Sequence, residues 1–454
     1  MTEAFAIPLP LPCRFSAAKS VYCLPTTEKP EAMSELILTA TCMRGFEELL
    51  ADEIEDLSDA APITQLHVDR QAVRFATGTE NGPALLYHAN LRLRTAIAVL
   101  EPLASFRVCN ADDLYKKIYE LPWERYLDAR QTFAIQSSVH SRLFTHSHFV
   151  SLKMKDAVVD RFRDRSGARP SVELNRPDLR LHIRIEEDRC TISRNSSGDP
   201  LFKRGYRSRV GKAPLNEALA AGLILLSGWN WRNAEPLVDP MTGAGTIPIE
   251  AAWIALKVAP GLFREQFGFM NWPDHQDSLF QSIRNDLLRR ANKNIAATPE
   301  LPIFASDSSP VATDLAAENF GNAGLEGRIT LETKPFNQLK LPVDHGTIIM
   351  NPPYGERMKK NDIDNFYKMI GDTMKKNFAG FTAWIFSSNI EAIKHVHLAS
   401  SKRIALRNGP LDCMFQRYEL YTGSAEQIDT AHDTGDDVPT ESGDLPSQEQ
   451  TDEQ

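Results

Sequence analysis

The sequence predicts an α/β protein, with a doubly wound parallel sheet in its second half and a smaller α+β region before it. Three observations predict this. From about residue 214, short apolar runs alternate with segments of helical period, the pattern of strands joined by crossover helices. In VDPMTGAGTIPIEAA (238–252) an acid and a Gly-x-Gly turn separate one such strand from the next helix. Upstream, strands of period two mix with helices, and residues 86–210 hold 23 Lys+Arg against 15 Asp+Glu.

Residues 1–34 are Pro-rich, lack periodicity and are expected to be disordered. Order is expected from Leu36, just after Met33, which suggests Met33 as initiator or residues 1–32 as a dispensable extension. ELILTATCMRGFEELLADEIEDL (35–57) reads as a strand, a turn at Arg44-Gly45 and a helix with Phe46, Leu49, Leu50, Ile54 and Leu57 inward. Strands at 63–68 and 71–76 complete a first unit, 35–83. A second unit, 84–198, has a helix over 85–100 leading into a strand, a helix over 114–127 and a strand at 132–139. It continues with a helix over 148–167 bearing a basic face and a hairpin over 179–197 that turns at Glu187-Asp188.

The third unit, 199–421, opens with a helix at 215–229 and a strand at 236–240. A helix at 245–259, a strand at 302–307, a helix at 311–324 and strands at 329–334 and 346–351 follow. A helix at 364–378 and a strand at 381–389 extend the alternation. Past Tyr421 the large apolar residues disappear, and 422–454 reads as a disordered acidic tail.

The net charge of −9 hides a division. Residues 425–454 carry ten Asp or Glu and no Lys or Arg, which leaves 51 bases against 50 acids elsewhere. A basic region inside a nominally acidic chain fits a polyanionic partner. No apolar run approaches the roughly 18 to 20 residues that span a bilayer. The N-terminus lacks a basic segment before its apolar residues and is read as no signal peptide. The six cysteines are scattered without a C-x-x-C pair, which argues against a zinc motif or disulfide framework and for a reducing cytoplasm.

The glycine turn carries the first chemical signal. Its glycines let the backbone approach a ligand, and the following helix offers free N–H groups. A dinucleotide site would place Gly at 248, where Pro stands. Asp-x-x-x-Gly-x-Gly is instead the pattern of S-adenosylmethionine pockets, with Asp239 complementing the ligand's positive charge. Asp239, Pro240, Thr242, Gly243, Gly245 and Thr246 are the candidate cofactor residues. Asp307, with Ser308 beside it, ends the next strand and is placed to hold ribose hydroxyls; alone it would read as a cap for the helix that follows.

TIIMNPPYGERM (347–358) carries the second signal. An exocyclic amine conjugated to a ring is a poor nucleophile because its lone pair is delocalised. The side-chain oxygen of Asn351 and the carbonyl of Pro352 can accept both its N–H groups and free that lone pair. Pro353 stiffens the bend, and Tyr354 offers a π-face to an extruded base. Positioning and polarisation supply the effect without a strong general base.

DPMTGAGTIPIEAA, MNPPYGERM, RNGPLDCMFQRYEL, LFKRGYRSRVGKAPLNEALAA and KMKDAVVDRFR together resemble bacterial 23S rRNA guanine-N2 methyltransferases of the RlmL type. The resemblance spans about 36–421; Asn-Pro-Pro-Tyr alone is shared with DNA adenine and protein glutamine methyltransferases. It implies a ferredoxin-like subdomain (35–83), a THUMP RNA-binding domain (84–198) and a Rossmann-like class I methyltransferase domain (199–421). It further implies S-adenosyl-L-methionine as cofactor, 23S rRNA in a pre-50S particle as partner, N2-methylguanine as product, and no membrane or metal. A second methyltransferase domain, present in many relatives, is expected to be missing. The family's usual Met-Cys-Gly-Ser-Gly is Met-Thr-Gly-Ala-Gly here, and Pro335 stands where relatives carry an Asp that reads the cofactor's adenine; Asn337 is the candidate replacement. The basic helix 148–165 and the Arg-rich stretch 203–212 are the expected RNA surfaces. His140, His146 and His148 are read as surface or RNA-facing rather than metal-binding. Other readings are a tRNA guanine-N2 methyltransferase, an N6-adenine DNA methyltransferase, or a non-catalytic RNA-binding assembly factor.

Overall fold

Two sheets organise the chain in the computed structural model, which describes residues 35–207, 215–354 and 360–421. The first contains β1 (Glu35–Cys42), β2 (Gln65–Asp69), β3 (Ala72–Gly78) and β4 (Ala96–Arg107). It continues with β5 (Thr132–His140), β6 (Ser171–Val172), β7 (Leu179–Glu186) and β8 (Arg189–Asn195). Helices α1 (Glu47–Glu55), α2 (Gly82–Arg92), α3 (Ala111–Glu120) and α4 (Ser147–Ser166) accompany it. Its order is β2-β3-β1-β4-β8-β7-β5-β6. The long strand β4 pairs with β1 through Ala96–Leu100 and with β8 from Leu100 to Arg107, so one strand runs through both halves of the sheet.

Two helices are shorter than the sequence predicts. The helix expected over 85–100 stops at Arg92, and residues from Ala96 enter β4. Glu53 takes the backbone N–H groups of Arg94 and Thr95 at 2.8 and 3.0 Å, which turns the chain out of the helix before its β-rich run. The helix expected over 114–127 ends at Glu120, with a short 3-10 turn at Trp123–Arg125. Pro122 explains the break, since the residue before a proline disfavours helical backbone.

The second sheet holds β9 (Leu237–Asp239), β10 (Ile303–Asp307), β11 (Thr330–Thr333) and β12 (Gly346–Met350), followed by β13 (Phe381–Ser387), β14 (Lys402–Asn408) and β15 (Leu411–Glu419). Its helices are α5 (Glu217–Ser227), α6 (Thr246–Ala255), α7 (Asp277–Ala297), α8 (Pro310–Asn322), α9 (Lys360–Asn377) and α10 (Ile390–Ile393). The order is β11-β10-β9-β12-β13-β15-β14, parallel from β11 to β13, with β15 antiparallel to β13 and β14. Between β9 and β12 the strand order reverses, and that switch point opens a crevice at the carboxyl ends of the strands. Helix α7 and the β14–β15 hairpin are additions to the elements expected from the sequence. Phe280, Arg284, Leu288, Ala291 and Ile295 form the buried stripe of α7 at helical spacing.

The two sheets share one apolar core. Phe46, fully buried at the start of α1, lies against Gly222 of α5; a β-carbon on Gly222 would stand 2.3 Å from the Phe46 ring. Arg94 donates to the carbonyls of Val258 at 2.6 Å and Trp253 at 3.2 Å across the same seam. Gly222→Ala is therefore expected to destabilise the protein by about 1–3 kcal/mol through overpacking. Differential scanning calorimetry checks this, and Phe46→Leu in the same chain should return part of the loss.

Candidate functional site

β9 is only three residues long and ends on Asp239, a fully buried carboxyl. The chain then folds under itself: Thr242 N–H donates to the Ser306 carbonyl at 2.9 Å, and Gly245 N–H to the Thr242 carbonyl at 2.8 Å. Gly243 and Gly245 take φ of 52° and 80°, values that favour glycine. They differ in what surrounds them. A β-carbon at Gly245 would press to 2.6 Å from the Phe320 ring, whereas one at Gly243 would meet nothing within 4 Å. The turn is packed from below and open above, and Gly245 places no side chain over the amides that start α6.

Neighbouring elements fix the turn. Asp307, at the tip of β10, accepts Gly243 N–H at 3.0 Å with one oxygen and Ser309 N–H at 2.9 Å with the other. It therefore braces the turn that leads into α8, short of capping the helix itself, and also ties β10 to the glycine loop. Asn319, buried on α8, donates to the Ala244 carbonyl at 2.9 Å. Arg207 donates to Thr246 Oγ1 at 2.9 Å and to Glu217 at 2.5 Å, holding the first residue of α6. Sequence reasoning missed Asn319 and the internal role of Arg207. A polar residue flanked by buried Ala316 and Phe320 was the only available signal for the former.

Among the described residues no cation pairs with Asp239. Burial pushes its carboxyl up to about 7; the Met241 N–H works against that rise, and the Asp307 charge adds to it. Pro240 is buried behind it, and Ser308 is exposed beside Asp307.

β12 runs alongside β9, with Ile348 opposite Val238, so Asn351 emerges next to the start of the glycine loop. Asn351 is half-buried, Pro352 buried and Pro353 exposed. Tyr354 departs from the expected open platform. Its hydroxyl donates to Asn351 Oδ1 at 2.8 Å, and its ring turns inward beside Asn408 and Cys413 of the β14–β15 hairpin. Burial, the larger cause, and the neighbouring Cys413 hold the phenol well above its usual range. An amphipathic ring with no base to stack on gains by covering itself against the core.

The comparisons with known proteins agree with this geometry. Residues 37–100 match the RlmL ferredoxin-like domain, 108–195 the THUMP domain, and 204–417 the RMKL-like methyltransferase domain. A Synechocystis sp. protein named "Putative RNA methyltransferase slr0064" is 36% identical over 384 residues, covering 84% of this chain and 96% of that one. This chain belongs to the RlmL-like, THUMP-containing methyltransferases. Ribosomal RNA large subunit methyltransferase K/L of Syntrophotalea carbinolica is 35% identical over 388 residues, and the methyltransferase described here spans about half of it, 53%. The crystal structure of SMU.472 complexed with SAH is 27% identical, with a TM-score of 0.72 and coverage of 86% of this chain and 100% of that one.

S-adenosylmethionine is the cofactor of this methyltransferase, and the loop suits it. The open face at Gly243, the uncapped start of α6 and a buried carboxyl awaiting a cation are what a ligand with an ammonium and a sulfonium would occupy. Asn337 follows β11 on the short turn Phe336–Gln338. Phe336 is buried and stacks on Phe378 at 5.2 Å, which turns Asn337 toward a recess it lines with Lys376 and Asn377 at the end of α9.

The expected basic surface also changes. On α4, Arg161 is buried in a two-pronged pair with Glu124, Arg163 pairs with Asp160, Arg165 with Glu124, Lys153 with Asp112 and Lys155 with Asp156. Arg204 and Arg207 are internal, while Arg209 and Lys212 lie outside the described residues. Arg163 and Arg165 stay exposed near the end of α4, and before and at its start His140, Arg142, His146 and His148 stand exposed with Leu143 and Phe149. Among the described residues no group of three or more His, Cys, Asp or Glu could hold a metal, and no helix is long and apolar enough to cross a membrane.

The raised carboxyl of Asp239 gives a pH dependence. Its folded value lies above the unfolded one, so the free protein loses stability as pH rises from about 4 through 7. A cationic ligand favours the ionised form, so calorimetry with S-adenosylhomocysteine should show tighter binding as pH rises from 6 to 8. Asp239→Asn is expected to flatten that profile and weaken binding at pH 8 by about 10-fold or more.

Proposed function

We propose that this RNA methyltransferase forms N2-methylguanine in 23S rRNA, acting in the cytoplasm on a pre-50S particle. The observation that carries the reading is the Asn351-Pro-Pro-Tyr turn leaving β12 beside the glycine loop that follows Asp239. The names of the K/L relatives from Syntrophotalea carbinolica and Desulfotalea psychrophila, both ribosomal RNA methyltransferases, support the RNA class.

S-adenosylmethionine, when bound, supplies an electrophilic methyl on sulfur. Asp239 would hold its cationic end, Asp307 and Ser308 its ribose, and the backbone from Thr242 to Thr246 would lie beneath it. Asn351 Oδ1 and the Pro352 carbonyl would accept the two N–H groups of the guanine amine. Those bonds localise the nitrogen lone pair and orient it. Tyr354 would give up Asn351, exchange its buried contacts for the face of the extruded base and stack on it. The exposed cluster from His140 to Phe149 combines basic and aromatic groups suited to RNA, with phosphate contacts that weaken as salt rises.

Mass mapping of modified guanines in 23S rRNA and tRNA from a deletion strain tests the substrate. One 23S guanine should lose its N2-methyl group; persistence of all of them would overturn the assignment, and loss from tRNA would transfer it there. Asn351→Ala is expected to lower kcat by about 10²–10³-fold, the scale of removing an oriented polar group from a reacting centre. Its affinity for S-adenosylhomocysteine and RNA should stay within about twofold, because phosphate contacts elsewhere dominate RNA binding.

A further inference from the structure

We propose that Asn389 is a positioning residue for the Asn351–Tyr354 turn, holding its backbone in place while the Tyr354 side chain changes partners. The inference rests on the reading that this turn receives the acceptor amine.

Asn389 follows β13 after one intervening residue, and β13 is the parallel neighbour of β12, so the two strand ends lie side by side. Every polar group available to Asn389 on that side is committed. Its backbone N–H donates to Ser387 Oγ at 3.0 Å, its Oδ1 accepts the Ala392 N–H at 2.9 Å, and its Nδ2 donates to the Tyr354 carbonyl at 3.0 Å. Ser387 is fully buried, and its hydroxyl shares a 2.6 Å hydrogen bond with the Tyr367 hydroxyl of α9. A connected path therefore runs from the core of the second sheet to the backbone of Tyr354. Only a carboxamide can cap α10 through oxygen and anchor the turn through nitrogen at once.

The side chain and the backbone of Tyr354 are held by polar bonds with different fates. The hydroxyl bond to Asn351 Oδ1 occupies the acceptor that the amine needs and must break when a base enters. The carbonyl bond to Asn389 involves no atom of that acceptor and can persist. With it in place, releasing the ring does not release the bend, and Asn351 keeps its aim. Without it, the Tyr354 backbone has already lost this anchor when the hydroxyl lets go of Asn351.

Asn389→Asp keeps the oxygen that caps α10 and removes the donor to Tyr354; Asn389→Ala removes both. Transfer from tritiated S-adenosylmethionine to under-methylated large-subunit RNA should show kcat lowered about 10- to 100-fold in either variant, as expected for an ångström-scale misplacement. KM for the cofactor and the affinity for S-adenosylhomocysteine should stay within about twofold, and Asn389→Asp should melt close to the parent, a split that general damage would not give. Adding Asn389→Asp to Asn351→Ala should cost nothing further. An unchanged kcat in Asn389→Asp beside an active parent overturns the inference and leaves the reading of the turn intact. Full activity in Asn351→Ala overturns both. Crystal structures of the two Asn389 variants test the inference without substrate: a displaced Asn351–Tyr354 turn supports it, and an unmoved one overturns it.

Discussion

Glu250 lies one turn into α6, the helix that begins at the glycine loop, and pairs at 3.2 Å with Arg204 in a site closed to solvent on both sides. Arg204 also donates to the Arg94 carbonyl at 2.6 Å, in the turn between α2 and β4 of the first sheet. A single ion pair thus ties the cofactor helix to the element that leads into the long strand of the RNA-binding half. Two charges removed from water gain little net stability from each other, but removing either one leaves the other stranded. The pair therefore acts less as a source of stability than as a constraint on orientation. The glycine loop, the crevice and the first sheet are aligned through it.

Around that constraint, the crevice is assembled from residues with two obligations each. Asp307 braces the entry to α8 and also fixes the glycine turn through Gly243. Asn319 supports the same turn from below, and Arg207 joins its last residue to α5 through Glu217. Asp239 has no cationic partner among the described residues, and burial raises its carboxyl.

Much of this was legible in the sequence, for physical reasons. The alternation of apolar runs with helical segments exposes a parallel sheet because both faces of each strand are covered. Asp239, Gly243, Gly245 and Asp307 were readable because turn chemistry and strand ends are local. What failed was non-local. A count of bases reveals the charge of α4 but not that Glu124 and Asp112, on other elements, pair with Arg161 and Lys153. Nothing in ETKPFNQL shows that Phe336 would stack on Phe378, just past the end of α9. The Tyr354 ring was read as a free platform because its buried contacts lie on the β14–β15 hairpin, far along the chain. The end of α2 was misplaced because Glu53, on another helix, captures the backbone that would have continued it.

The hydroxyl of Tyr354 on Asn351 Oδ1 sets an entry condition for ligands of the crevice. Whatever displaces the phenol leaves a half-buried acceptor that needs a new donor. A ring edge bearing an amine restores the lost hydrogen bond. A ring edge bearing only a carbonyl places two lone pairs against each other and restores nothing. Polar sites of this kind reject analogues that lack the matching donor far more strongly than apolar pockets reject a change of size. The resting contact between two residues of one short turn therefore states what any ligand that displaces the phenol must bring, a donor for Asn351 Oδ1.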